Sequence, residues 1–569
     1  MTVSERYALW CSTPLEDADL TAELLNIQGN EAEIYERFYT DLTFGTAGLR
    51  GILGVGTNRM NVYTVRRATQ GLALWIKEKA KIPSAAIAYD SRNKSELFAR
   101  EAASVLAANG VKVYLYSSLA PTPMLSWAVR CLGCAAGIVV TASHNPAEYN
   151  GYKVYGPDGC QMTTESAAAV FTHIEKTDLF RDVLRIPYEE AVQTQDICPV
   201  PSGCVEDYDK QVLACRLFPD ILPQTDLRVV YTPLNGTGNL HVRRVLRKAG
   251  LRDLIVVPEQ EMPDGNFPTC RYPNPELSEA MSLGLALAHA TDADLLIGTD
   301  PDADRVGVAA RCENEFTLLT GNEVGVLLTD YIAFSRRSSN TMPDRPVMVK
   351  SIVSTSLAQA VAESYGVEMR DVLTGFKYIG EQIGKMESLG EAGRFVFGFE
   401  ESCGYLAGSY VRDKDAVSAS LLIAEMAAYH KRAGKTLFDV LNEIYAKFGC
   451  FFNTVTSTAF SGSDGMKKMA DLMDTLFSSY PASLGGREVV EVRDYRRGMC
   501  IRATKSTPLD VPSSDVISLV LREGATVLIR PSGTEPKLKV YYMCNGKTMQ
   551  DAKALAASLQ TAVNSILGI

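Results

Sequence analysis

"AAIAYDSRNKSELFAREAASVLAANGVKVYLY", residues 85–116, runs from a β-like apolar segment through a polar loop and a helical stretch into a second β-like segment. Within the helical part Leu97, Phe98, Ala102, Val105 and Leu106 fall on one face, and Gly110 follows as a stop. The same order returns in "LRVVYTPLNGTGNLHVRRVLRKAGLRDLIVV" (227–257) and in "PVMVKSIVSTSLAQAVAESYGVEMRDV" (346–372), each with a glycine after its helix. The pattern repeats while the residues do not. Strand, loop, helix, strand is the grammar of layered α/β structure, so the spacing predicts three similar α/β domains.

The end of the chain reads differently. "DVISLVLREGATVLIRPSGTEPKLKVYYMC" (515–544) alternates short strands with tight turns. A helix follows with Met549, Ala552, Leu555, Leu559 and Ile566 on one face and Thr548 as its N-cap. This predicts a smaller C-terminal α+β domain, with boundaries at 1–205, 206–322, 323–448 and 449–569. "WIKEKAKIP" (75–83) reads as a solvated helix face.

Composition narrows the function classes. A chain of 569 residues, 46% hydrophobic, can bury several cores, on the order of three to five domains. Lys+Arg 57 against Asp+Glu 67 gives a net charge of −10 without long blocks, which argues against nucleic-acid or membrane-surface partners. An anionic ligand must therefore be held locally. No apolar run is long enough to target or span a membrane. Thirteen scattered cysteines read as the reduced thiols of a cytoplasmic protein. "CLGC" (131–134) lacks a second pair and reads as core cysteines.

Four stretches break the packing logic. In "GIVVTASHNPAEYNGYKVYG" (137–156) a buried strand ends on Ser143–His144, yet the glycines of a G-x-S-x-G nucleophile elbow are missing. Neighbours on an extended chain point to opposite sides, which makes His144 a poor base for Ser143. In "LLIGTDPDADRVGVAA" (295–310) Asp300, Asp302 and Asp304 repel one another unless a cation sits among them, and an all-oxygen shell suits Mg²⁺. A calcium loop would need Gly and Glu where Arg305 and Arg311 stand. Arg305 beside the carboxylates points to an anion sharing the metal. In "GFEESCGY" (398–405) Glu400, Glu401 and Ser402 can fork onto sugar hydroxyls. In "LIRPSGTEPKLKVYY" (528–542) Arg530, Ser532, Gly533 and Thr534 form a loop of donors with a cationic anchor, as phosphate binding needs.

Together with "FGTAGLRG" (44–51) and "TGFKYIG" (374–380), these stretches resemble the α-D-phosphohexomutases over nearly the whole chain, most closely the branch that contains phosphoglucomutase and phosphopentomutase. The resemblance implies three related mixed-sheet α/β domains and a smaller fourth, heart-shaped around a central cleft. It implies that Ser143 carries the transferred phosphoryl group, with His144 hydrogen-bonding near it and Lys153 as general acid/base. Asp300, Asp302 and Asp304, with an oxygen on Ser143, would hold one Mg²⁺ per chain. Arg50 and Arg305 would lie near the transferring phosphate, Lys377, Glu400 and Ser402 would contact the sugar, and Arg530, Ser532, Gly533 and Thr534 would hold the idle phosphate.

The implied activity is exchange of glucose 1-phosphate and glucose 6-phosphate through glucose 1,6-bisphosphate, which also activates the phosphoserine form. The partners are small sugar phosphates, and the chain is expected as a monomer or homodimer. Mannose and pentose phosphates, or bisphosphate synthesis, are the alternatives. One departure bears on sugar choice: many relatives carry His just after the sugar loop, where Tyr405 stands here. A Mg²⁺ phosphatase with an aspartate nucleophile could also place D-x-D after a strand, but leaves the Ser-His stretch and the distal loop without a task. A non-catalytic sugar-phosphate binder is the remaining rival, and no motif residue is visibly damaged.

Overall fold

The computed structural model describes every residue except 46–47, 314, 461–464, 504, 532–536 and 569. The chain forms two compact units, one of Met1–Val324 with Phe376–Thr436 and the other of Gly325–Gly375 with Leu437–Ile569.

The first unit contains two mixed sheets. Strands β1 (Leu49–Ile52), β2 (Ser84–Tyr89), β3 (Lys112–Leu115), β4 (Ala136–Val140), β5 (Tyr149–Tyr155) and β6 (Ile197–Pro199) lie in the order β1-β5-β4-β2-β3-β6. Strands β7 (Arg228–Thr232), β8 (Asp253–Val256), β9 (Leu295–Thr299), β10 (Val306–Cys312) and β11 (Glu315–Leu319) lie in the order β11-β10-β9-β7-β8. In each, three parallel strands (β3-β2-β4 and β8-β7-β9) are followed by a hairpin that turns back antiparallel, β4 to β5 and β9 to β10. Every residue of β2, β4 and β9 is buried, as strands covered on both faces require.

Helix Ser95–Ala108 buries Phe98, Ala102, Val105 and Leu106, as the periodicity predicts. Three short helices, Val3–Ser12, Ala18–Asn26 and Glu31–Phe38, precede β1. Trp10 and Phe38 from them join Tyr63 and Phe180 in edge-to-face contacts at 5.2–5.9 Å. The "WIKEKAKIP" helix exposes Lys77, Glu78 and Lys79 while burying Trp75 and Ile76.

In the second unit β12 (Val347–Ser351) and β13 (Glu368–Val372) pair in parallel, the third instance of the repeated order. After the chain returns to the first unit, β14 (Phe395–Glu400) and β15 (Gly404–Ala407) form the corresponding antiparallel hairpin. The C-terminal part of the second unit is an antiparallel sheet of Cys450–Ala459, Lys537–Gly546, Thr526–Pro531, Ile517–Leu521, Arg487–Asp494, Met499–Arg502 and Lys505–Pro508, in that spatial order. Helix Met549–Leu567 packs on it, and Thr548 with Asp551 forms a capping box.

Two details depart from the sequence reading. Ile566 is 48% exposed; Leu567 takes the core position, because contacts at Leu559, Val563 and Leu567 step by four along the helix. Cys134 is buried, but Cys131 ends helix Thr122–Cys131 at the surface and is exposed. All thirteen cysteines are free thiols. Among the described residues no helix is long and apolar enough to cross a membrane.

Burial, then the neighbouring Arg244 guanidinium, pulls the His241 imidazole down to about 4. Between the ordinary histidine range and that value the unfolded chain binds a proton that the folded chain refuses, so stability falls as pH falls through this window. From pH 6.5 to 5 this one group should cost about 2 kcal/mol. Chemical denaturation of His241→Gln at the two pH values should show that loss removed, with the variant less pH-sensitive than the parent.

Candidate active site

Each of three buried strands, β4, β9 and β14, ends in a hairpin loop, and these loops carry the Ser-His, triple-Asp and Glu-Glu-Ser motifs. Loops at the carboxyl edge of parallel strands escape the helix layers, so they can carry polar side chains that a helix-covered core position would exclude.

After β4 the backbone at Ser143 turns left-handed, φ 52°. This overturns the expectation that Ser143 and His144 point apart: the turn brings His144 Nδ1 to 3.1 Å from Ser143 Oγ. Burial, followed by the charges of Arg305 and Arg50, pushes His144 well below its ordinary range, so the imidazole is neutral at physiological pH. Ser143 Oγ also donates to Asp300 Oδ2 at 2.8 Å.

Strand β5 pairs Lys153 with Val139 and presents its ammonium to the aspartates, 2.7 Å from Asp302 Oδ2 and 3.4 Å from Asp304 Oδ2. Strand β1 aligns Arg50 opposite Gly151, and Arg50 donates to Asn145 Oδ1 at 3.3 Å. Gly48 precedes β1 at φ 79°, where any Cβ would stand 1.8 Å from Tyr152 O, which explains a glycine in "FGTAGLRG".

After β9 the three carboxylates are buried and offer oxygens within 4.8 Å of one another. Asp300 Oδ1 accepts the N–H groups of Asp304 and Arg305 at 3.1 and 3.0 Å. Asp302 Oδ2 also accepts Thr122 Oγ1–H at 2.9 Å. Burial and then Asp302 and Asp304 push Asp300 well above the usual carboxylate range. Burial acts the same way on Asp302, yet the Lys153 ammonium together with hydrogen bonds that include that of Thr122 outweighs it and holds that carboxyl well below the range. Asp302 Oδ1 and Asp304 Oδ1 are buried without a hydrogen-bond partner. Two orphaned anionic oxygens beside a carboxyl resisting ionisation fit a hard divalent cation.

The third hairpin docks beside this loop through Val306 N–H to Cys403 O at 3.0 Å. Glu400 is buried there and Ser402 half-buried. Arg305 is fixed by Glu276 at 3.0 Å. Tyr405 turns into the core, stacked on Phe397 and donating to Gly321 O at 3.1 Å.

The structure thus gathers Ser143, His144, Lys153, Arg50, Asp300, Asp302, Asp304, Arg305 and Glu400 around one point. Lys377 sits on helix Phe376–Ser388, its carbonyl accepting Cys160 Sγ–H and its ammonium depressed by burial. Arg530 lies on strand Thr526–Pro531 of the second unit, half-buried, and Ser532, Gly533 and Thr534 lie outside the described residues.

Sequence reasoning missed Lys414 and Thr122. Lys414 Nζ stands 3.3 Å from Asp304 Oδ2 and is raised by that carboxylate, Asp413 and Glu400 against the pull of burial. Gly404 leaves room for its stem, since a Cβ there would meet Lys414 Cδ at 2.1 Å. The available signal was "RDKD" (412–415), four successive charges before an apolar helix, all of them buried.

Residues 41–181, 206–313 and 320–448 match the α/β/α domains I, II and III of phosphoglucomutase/phosphomannomutase, and residues 490–560 match the C-terminal domain. Phosphoglucomutase of Staphylococcus epidermidis is 38% identical over 528 residues, 92% of this chain and 94% of that protein. Phosphoglucomutase of Staphylococcus aureus is likewise 38% identical, over 92% of this chain and 93% of its own. In fold, the chain resembles the crystal structure of the Paramecium phosphoprotein pp63/parafusin, a phosphoglucomutase, in its open form (TM-score 0.70, 17% identity, 93% and 96% coverage). It also resembles a phosphoglucomutase/phosphomannomutase family protein of Burkholderia thailandensis (TM-score 0.67, 17% identity, 92% and 97% coverage). With three α/β domains and a C-terminal domain in the family's order, and this identity to its members along nearly the whole length, the chain belongs to the phosphoglucomutase/phosphomannomutase family.

Proposed function

We propose that this chain is a phosphoglucomutase, exchanging glucose 1-phosphate and glucose 6-phosphate through a phosphoserine at Ser143 and a glucose 1,6-bisphosphate intermediate. The observation that carries this reading is the Ser143 hydroxyl aimed at the aspartate cluster, 2.8 Å from Asp300, with Lys153 bonded to the same cluster.

Asp300, Asp302, Asp304 and an oxygen on Ser143 would hold one Mg²⁺, which when bound neutralises charge on the transferring phosphoryl group. Arg50 and Arg305 add fixed positive charge at that end. Lys153, held as an ammonium by Asp302 and Asp304, would accept the proton of the attacking sugar hydroxyl only as the neutral amine, which a cation taking over those carboxylates would favour by removing the charges that raise it. It would return that proton in the reverse step, while neutral His144 hydrogen-bonds to Oγ. Glu400, Ser402 and Lys377 bind the sugar in two orientations. Turning the bisphosphate over then presents its other phosphate to Ser143.

Arg530 and its neighbours hold whichever phosphate is idle. Arg530→Ala should lower kcat/KM by roughly ten- to a few hundredfold, since a charge-assisted hydrogen bond is worth ~1.5–3 kcal/mol. It should leave Ser143 able to accept phosphate slowly from the bisphosphate. Normal steady-state kinetics in this variant would remove the two-phosphate mechanism.

Assay of one purified sample against glucose, mannose, glucosamine and ribose 1-phosphates tests the substrate. Highest kcat/KM on glucose 1-phosphate is expected; turnover of ribose 1-phosphate alone would move the chain to the pentose branch.

A further inference from the structure

We propose that Arg92 is the positioning residue that holds Ser143 in its reactive backbone conformation, and that Phe267 locks Arg92 in place; this rests on the reading of Ser143 as the phosphoryl carrier.

A left-handed serine is a conformation the chain does not choose unaided. What holds it is a guanidinium with no solvent exposure. Arg92 donates to the carbonyl oxygens of Ser143 at 2.6 Å, Pro146 at 2.8 Å, Tyr149 at 3.1 Å and Asn145. Four carbonyls of a single loop converge on one planar fork, a geometry that a lysine ammonium cannot reproduce. The Asp90 carboxylate supplies the counter-charge 3.5 Å from Nε, and its other oxygen accepts the Arg92 N–H at 3.0 Å and Ser95 Oγ–H at 2.7 Å. The clamp is thus built from the loop after β2 and grips the loop after β4.

Its outer side is closed by the repeat that carries the aspartates. Phe267 lies over the guanidinium, 4.9 Å from carbon to ring centroid, and is itself buried with φ 47°. A bulky aromatic in that backbone region is strained, so the surrounding structure pins it there. Asn266 Oδ1 accepts from Asn93 Nδ2 at 2.9 Å, and Gly265 approaches Asn93 so closely that a Cβ would meet its backbone nitrogen at 2.4 Å. Arg92 therefore sits where the serine loop of one repeat meets the repeat that bears Asp300, Asp302 and Asp304. Displacing it misplaces Ser143 Oγ against Asp300 without removing any group that touches substrate.

The test compares wild type, Arg92→Lys and Phe267→Asn, all with Mg²⁺. Asn tolerates the left-handed backbone and replaces the ring by a small amide that cannot cover the guanidinium. Arg92→Lys should lower kcat by about 10- to 100-fold with KM within about threefold, the mark of misplaced reacting atoms. Amide hydrogen exchange across 143–149 should rise by about tenfold or more, with β4 and β9 unchanged. Phe267→Asn should lower kcat by roughly three- to tenfold while melting within a few degrees of wild type. Wild-type kcat and wild-type exchange in Arg92→Lys, or loosened exchange throughout the unit, would overturn the inference. If Arg92→Lys fails to fold, Phe267→Asn decides alone, and wild-type kcat there overturns it. Wild type that takes no phosphate on Ser143 from glucose 1,6-bisphosphate would sink the functional reading instead, leaving the exchange comparison to judge the clamp.

Discussion

Ser143→Ala is expected to lose more than about a thousandfold in mutase turnover, because a double-displacement route has no second path once its phosphoryl carrier is gone. Wild-type protein incubated with glucose 1,6-bisphosphate should gain the mass of one phosphoryl group, and peptide mapping should place it on Ser143. The variant should gain none. Deleting one hydroxyl removes the 2.8 Å contact to Asp300 and the 3.1 Å contact to His144, while the Arg92 contacts to the loop's carbonyls stay. The melting temperature should therefore change little, which separates lost chemistry from lost fold. The neighbouring nucleophile to exclude is Asp300, whose Oδ2 lies beside Oγ. Phosphate found on an aspartate, with inorganic phosphate released, would replace the mutase by a phosphatase.

The second large effect is at Asp300. Asp300→Asn should reduce turnover by at least about a hundredfold, since it would remove one of the three anionic ligands proposed for a cation that screens the transferring charge. Stability should respond in the opposite sense. Burial and the two neighbouring carboxylates raise Asp300, so with no cation its ionised form subtracts from folding at neutral pH, and the penalty disappears as pH falls below the ordinary carboxylate range. Asparagine keeps an oxygen for the N–H groups of Asp304 and Arg305 and carries no charge. In EDTA the variant should melt at or above wild type; with excess Mg²⁺ wild type should gain several degrees by linkage and the variant much less. A wild-type melting curve indifferent to Mg²⁺, with full activity in the variant, would remove the cation from this site.

Much of the site was readable because its motifs interrupt buried strands. Asp300, Asp302 and Asp304 follow an all-buried strand, and carboxylates delivered there need a partner. The unread parts depend on distant chain segments. Thr122 is an ordinary helix-start threonine until Asp302, 180 residues away, accepts its hydroxyl. Lys414 belongs to a charge run that local logic assigns to solvent, yet it lies buried against Asp304. His144 was misjudged for a backbone reason: alternation applies to extended residues, and Ser143 at φ 52° is not extended.

By itself the sequence determined the repeated α/β order, the antiparallel C-terminal part and the identity of the chemical groups, because hydrophobic period, turn residues and motif composition are local properties. Only the tertiary structure decided which charges face one another. Whether Lys153 meets Asp302 or water, whether Tyr405 faces the ligand or the core, and what holds Ser143 in a left-handed turn depend on strand register and on loops from different repeats meeting. Those are long-range contacts, and their energies are set by burial that no local window of sequence contains.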